Sequence, residues 1–423
     1  MAGSVVSKPA PLAAVNTVTI LASVGTGVVW NGVPFIAKHE YGFSEERTLL
    51  LYVVLGATYV AGAISTGPVL RLIERRLSPR AVLAWILLLE AAVCVSLIGT
   101  RSPWHLVAVS CGISVLSSWL WPIIESYLTA GRHGAAMRAA IGWWNLCWTG
   151  AVAAALVLMM PMMRNEPFVL RFGAGSLSLE PRLAIVVLGM THALAIVPLS
   201  LFGRRPGLHD RELSHAAIQP EYGWLLRSAR VLLPLSYVLN SAMAPLLPYL
   251  FERVYVAKEE QTLVASTWMW VRIGAMAIMW RAPFWHGLWG TLLLGGLLLA
   301  AGFGMVVAAV SLPMAIGGLG LFGAGMGVVY YAALYYAMSV GHAAVDAGGT
   351  HEALIGVGYA VGPLAGLAGT ALGSRAAALG IAGSEGAGVV AVVLLLFGIG
   401  TVGAWRPYAV ARRARHGGRD GSR

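Results

Sequence analysis

Twelve long apolar stretches, six before and six after one polar segment at mid-chain, constrain this sequence more than any other feature. They run at about 15–37, 48–70, 81–99, 104–130, 139–162, 183–202, 231–251, 262–280, 289–310, 314–340, 352–373 and 387–405. Crossing the hydrocarbon layer takes about 20 mostly apolar residues, and each stretch is close to that. Backbone amides find no water there, so a span must be a helix or part of a closed barrel. The stretches are continuous rather than alternating, which selects helices. The expected fold class is an all-α polytopic membrane protein, its twelve transmembrane helices forming two pseudo-symmetric six-helix bundles. The bundles span 15–203 and 231–405, with a linker at 204–230, a terminus at 1–14 and a basic tail at 406–423. At 58% hydrophobic and 11% charged residues, the chain has too much apolar surface for water alone to solvate.

A net charge of +11 invites a nucleic-acid reading, but the placement of the charge excludes it. With both termini cytoplasmic, 19 of the 29 Lys and Arg fall on the cytoplasmic side and 9 on the other, leaving Arg272 within a span. That asymmetry follows the positive-inside rule and orients the chain. It implies a multi-pass protein of the plasma membrane (the inner membrane in a prokaryote), with the tail against anionic lipid headgroups. Cys94, Cys111 and Cys147 lie inside spans without metal-ligand spacing and read as small buried residues. Residues 1–11 lack the pattern of a cleavable signal, so the first span is expected to direct insertion.

The two halves echo each other. Span 1 carries Trp30-Asn31-Gly32-Val33-Pro34-Phe35, and span 7 carries Asn240-Ser241-Ala242-Met243-Ala244-Pro245 followed by Pro248. Weak repeats of this kind mark duplicated transporter halves. Gly323 and Gly327, and then Gly358, Gly362 and Gly366, recur four apart and put bare backbone on one helix face. Such a face lets helices approach closely, as static packing or as a sliding surface; Pro363 adds a kink.

Three local patterns point to a family. After span 2 comes Gly67-Pro68-Val69-Leu70-Arg71-Leu72-Ile73-Glu74-Arg75-Arg76-Leu77-Ser78-Pro79-Arg80. Span 4 ends in Pro122-Ile123-Ile124-Glu125-Ser126-Tyr127-Leu128-Thr129, with Arg138 beyond it, and span 11 contains Gly358-Tyr359-Ala360-Val361-Gly362-Pro363-Leu364-Ala365-Gly366. With the six-plus-six plan, these resemble the major facilitator superfamily over nearly the whole chain. Glu74-Arg75 and Arg76 stand where the family has an acid–base pair and basic cluster, although Leu70 occupies the position four before Glu74 where the family has glycine, and Gly67 is displaced. Span 4 has no arginine, and span 5 has no Gly-Pro pair, which argues against a proton-driven drug exporter of the usual kind.

Ionisable residues inside a bilayer are costly and mark function by default. Arg272 is mid-span, and the resemblance implies that helix 8 borders a central cavity. A guanidinium there is suited to grip a carboxylate or phosphate with two donors; a structural ion pair is the alternative. Glu125 is a candidate proton carrier or, as the preferred reading, the gate partner of Arg138 or of Arg75 and Arg76. Glu90 and His192 fall on helices that the resemblance puts outside the pathway, and read as structural. The resemblance puts helices 1, 5 and 7 along the pathway, making Asn31, Asn145 and Asn240 candidate solute contacts or inter-helix glue. Trp30, Trp144, Trp148, Trp270, Tyr330, Tyr331 and Tyr335 supply aromatic walls suited to rings or cations. His342, Asp346, His351 and Glu352 mimic metal spacing but are read as a solvated loop between spans 10 and 11.

No phosphate-binding Gly-x4-Gly-Lys-Ser/Thr loop, nucleophile elbow or His-Glu-x-x-His helix occurs, so an enzyme, a cofactor and a metal are not expected. The resulting expectation is a monomeric secondary transporter of a small organic solute, anionic or amphipathic, coupled to a proton or another ion. A non-transporting membrane receptor or assembly partner of the same fold remains the alternative.

Overall fold

The computed structural model describes residues 9–73, 76–132, 134–165, 168–172, 175–207, 221–340, 345–381 and 384–420. Eleven of its helices are long and apolar enough to cross a membrane, and a shorter apolar helix makes the twelfth. In chain order these are α1 (Leu12–His39), α2 (Glu45–Ile73), α3 (Pro79–Gly99), α4 (Pro103–Thr129), α5 (Ala135–Met163) and α6 (Leu183–Leu199). The second set is α7 (Glu221–Arg253), α8 (Lys258–Arg281), α9 (Trp289–Val307) and α10 (Leu312–Val340), then α11 (Val345–Ala378) and α12 (Ser384–Asp420). The chain is thus an integral multi-pass membrane protein. A short antiparallel hairpin, Phe168–Phe172 paired with Gly175–Leu179, joins α5 to α6. Glu74 and Arg75 lie outside the described residues, as does His342.

Two boundaries differ from the hydropathy reading. Helix α7 begins at Glu221, inside the segment assigned as linker, because its first turns are amphipathic. Tyr222, Leu225, Leu226 and Ala229 are buried at helical spacing while Arg227 and Arg230 face outward. Helix α11 begins at Val345, so His351 and Glu352 belong to a helix and not to a loop.

Small residues set the helix contacts, as expected where lipid removes any hydrophobic drive between helices. In α4, Ser110, Ser114, Ser117 and Ser118 are fully buried; Ser114 donates to the Leu55 carbonyl of α2 at 2.7 Å, and Trp119 donates to that of Gly62 at 2.8 Å. Glu90 of α3 accepts from Ser117 at 3.0 Å and faces His192 of α6 at 3.4 Å, in the fully buried seam of three helices. The glycine face of α11 lies on α7: a side chain at Gly362 would meet the Ser241 hydroxyl at 2.1 Å and the Val238 carbonyl at 2.3 Å. Large apolar residues such as Leu194, Val197, Leu297, Leu395 and Ile399 remain exposed on the outer surface, where lipid would cover them.

The two bundles meet along α2 against α11, α4 against α11, and α5 against α8. At the end away from the termini, α1 and the start of α2 are latched to α7 and α8. Lys38 donates to the Pro248 carbonyl at 3.1 Å and pairs with Glu252, His39 meets Gln261 at 2.8 Å, and Tyr249 donates to the Phe43 carbonyl at 2.7 Å.

Candidate functional site

The paired Asn–Pro signatures become paired breaks in α1 and α7. A widened π turn occupies Val28–Gly32 just before Pro34, and a tight 3-10 turn occupies Ala244–Leu246 around Pro245. Proline has no amide hydrogen, so the carbonyl four residues earlier loses its helical partner. For Pro34 that carbonyl is Trp30, and the Tyr52 hydroxyl of α2 takes the vacated place at 2.6 Å. The break fixes Trp30, whose ring stacks on Tyr359 of α11 at 4.1 Å and meets Tyr59 of α2 edge-on at 5.3 Å.

Between the bundles lies a cavity of about 80 Å³. Its wall is aromatic: Trp30, Tyr59, Trp121, Trp144, Trp148, Tyr237, Trp268, Tyr330 and Tyr359 contribute, with Ser23, Thr26, Asn31, Asn240, Arg272 and Glu352 as its polar members. The Arg272 guanidinium of α8 sits 4.4 Å from the Trp148 ring centroid, 4.7 Å from Tyr330 and 5.8 Å from Trp268. The residue is 1% exposed, and Nε and Nη2 have no hydrogen-bond partner. Those two nitrogens form one edge of the guanidinium, the edge that grips a carboxylate or phosphate with two parallel donors. Among the described residues Arg272 has no ion pair.

Near the termini-bearing end, Glu125 of α4 meets His351 and Glu352 of α11, with one ligand atom of each within 4.8 Å of the others. All three side chains are buried. The Tyr59 hydroxyl donates to Glu352, while both Glu125 oxygens and the His351 Nε2 have no hydrogen-bond partner.

The structure brings together some of the sequence candidates and separates others. Trp30, Asn31, Asn240 and Arg272 share the cavity. Asn145 does not line it: its amide donates to the Ile141 carbonyl at 2.9 Å and its oxygen accepts from Trp148 at 3.0 Å, so it acts as a brace behind the Trp148 ring. Trp270 is 50% exposed on the outer face of α8, because its neighbours Trp268 and Met269 take the inner face. Tyr331 is buried outside the cavity, edge-on to Trp285 at 5.8 Å.

The expected pairing of Glu125 with Arg138 is not formed, nor does Glu125 bond to Arg76. Helix α5 carries Arg138 toward His286 and Tyr222 instead. His286, in the loop after α8, accordingly has its pKa lowered to about 4, by burial first and by the Arg138 charge second. His351 and Glu352, read from sequence as part of a solvated loop, are 3% exposed; the polar residues Asp346, Thr350, His351 and Glu352 in the first turns of α11 drew the hydropathy boundary too late. Glu352, His351, Tyr59, Trp121, Tyr237, Trp268 and Tyr359 are among the site residues that sequence reasoning missed. A glutamate two turns inside a 34-residue helix was the available signal.

No protein-family model matches the chain, and no curated protein sequence matches it. Solved structures do. A bacterial homologue of the human lysosomal transporter Spinster, inward-facing and unoccupied, gives a TM-score of 0.65 at 14% identity, covering 94% of this chain and 96% of that one. The nucleoside transporter NupG gives 0.62 at 11% identity, covering 94% and 99%. The human organic anion transporter TETRAN gives 0.59 at 15% identity, covering 92% and 98%. The TM-scores and coverage show a shared fold.

Proposed function

We propose that this chain, a multi-pass membrane protein with the major facilitator fold, is a secondary transporter that moves a small organic anion by alternating access. The observation that carries the reading is Arg272: a buried guanidinium at the bundle interface that belongs to the lining of an aromatic cavity and whose two-donor edge is unpartnered. An unpaired charge buried in this way is costly, and an anionic solute removes the cost by bonding to that edge. The aromatic wall suits a solute with an apolar or ring-bearing body, which would leave the carboxylate or phosphate to Arg272.

Rocking of the two bundles would open the latched end, where Lys38, His39 and Tyr249 now bridge them. We place the latched end on the extracytoplasmic side of a plasma membrane and both termini in the cytoplasm, from the arginine asymmetry. The coupling ion is a cation, and its place is the buried carboxylates Glu125 and Glu352. A monomer suffices, since each chain holds both halves of the pathway.

A cavity at the level of Arg272 supports transport over a receptor role, for which a filled core would serve. The test is flux into proteoliposomes of a panel of organic carboxylates and phosphate monoesters, with and without a pH gradient. Saturable uptake of at least one, lost in Arg272→Ala protein at equal density, is the expected result. No flux of any member, with the purified chain monodisperse, would overturn it in favour of the receptor.

A further inference from the structure

We infer that Glu125, His351 and Glu352 form a binding site for one divalent first-row cation, of the Mn2+ to Zn2+ class, at the seam between the two bundles. One oxygen from each carboxylate and one imidazole nitrogen lie within 4.8 Å of one another. Metal–ligand bonds of about 2.0–2.2 Å would hold three such atoms around a single ion after a closing movement of about 1 Å. The donor set is mixed: an imidazole with two carboxylates suits zinc, manganese and their neighbours, whereas calcium and magnesium prefer oxygen alone. Two carboxylates and a divalent ion are also neutral together, which a buried site requires.

Unpartnered atoms supply the second, independent observation. Both Glu125 oxygens and His351 Nε2 are buried without any hydrogen bond. Buried polar atoms left bare in this way indicate a missing partner. The surrounding shell is built to hold the ligands: the Tyr59 hydroxyl donates to Glu352, and the His351 ring lies edge-on to Tyr330 at 5.3 Å. Glu352 also belongs to the cavity wall, so the site borders the cavity. Because Glu125 is on α4 and the other two on α11, the ion ties the bundles together at the termini-bearing end.

The experiment uses the full chain, purified in detergent after chelator treatment and titrated with MnCl2 under electron paramagnetic resonance. One Mn2+ per chain should leave the free-ion signal, and Zn2+ should compete for it. Glu125→Gln and Glu352→Gln should each weaken binding about ten- to a hundredfold. Electron spin echo modulation from a directly bound imidazole nitrogen should appear in the wild type and vanish in His351→Gln. Gel filtration and melting temperature show whether each variant is folded, and the nitrogen signal of the unaltered chain needs no variant. No saturable binding, binding equal in all variants, or bound Mn2+ without nitrogen coupling would overturn the inference. A chain that binds Mn2+ but carries no anion would sink the transport proposal and leave this one standing.

Discussion

The guanidinium of Arg272 lies 4.4 Å from the ring centroid of Trp148, on the helix of the other bundle that α8 packs against. The ring engages the cation without a hydrogen bond, whereas an anion bonds to the donors on its edge, so the two contacts can coexist. Trp148 therefore holds the arginine without consuming the donors that Nε and Nη2 offer. The contact also joins the halves of the molecule through a residue that the solute would touch.

Arg272→Ala is expected to abolish anion binding while the protein reaches the membrane at normal levels. Arg272→Lys keeps the charge but lacks the two-pronged edge, and is expected to cost about ten- to a hundredfold in affinity. Ligand-induced thermal stabilisation of the purified chains, across organic carboxylates and phosphate monoesters, reads both. Full stabilisation of the lysine variant would show that point charge alone suffices.

Asn145→Ala is expected to weaken anion binding without any direct contact. The variant leaves the Trp148 indole N–H without the acceptor it has at 3.0 Å, a loss of roughly 1–3 kcal/mol shared between stability and ring placement. Solute affinity should fall less in Asn145→Ala than in Trp148→Ala. An unchanged affinity in Asn145→Ala would separate the brace from the site.

Gly362→Ala is expected to destabilise the chain by about 1–3 kcal/mol through overpacking. Its new methyl would stand 2.3 Å from the Val238 carbonyl, a backbone atom that cannot rotate away. Gly358 faces the same helix, with the Pro234 carbonyl at 2.5 Å, and should respond alike. Melting temperature in detergent checks both, with Gly223→Ala as the control, since nothing crowds that position.

Acid should destabilise the loop after α8 through His286. Its folded pKa of about 4 lies below the ordinary 6.5, so the unfolded chain binds the proton more readily. The stability held by the neutral ring is complete above about pH 6.5 and declines as pH falls toward 4. His286→Gln should flatten that part of the melting-temperature profile. An identical slope in the variant would assign the acid sensitivity elsewhere.

The Asn–Pro signatures of α1 and α7 were readable as a repeat, and the structure turns both into breaks because proline removes a donor wherever it stands. Arg272 was readable for a similar reason: a charge in the middle of an apolar run is costly in any packing. Trp268 and Trp270 show the limit. The two are equally apolar neighbours on one helix, and only the contact with α10 turns Trp268 onto Phe322 and leaves Trp270 on the outer face. Arg138 shows it again, since its distance from Glu125 depends on how α5 enters the bundle.

The sequence by itself determined the number of spans, their helical form, the duplicated plan and one buried cation, all of which follow from local length, hydropathy and the chemistry of single residues. Tertiary structure alone decided that Glu125 on α4 would meet His351 and Glu352 on α11. Side chains so far apart in the chain share a site only through the packing of the two bundles. A hydropathy window averages over neighbours in sequence, and these are neighbours only in space.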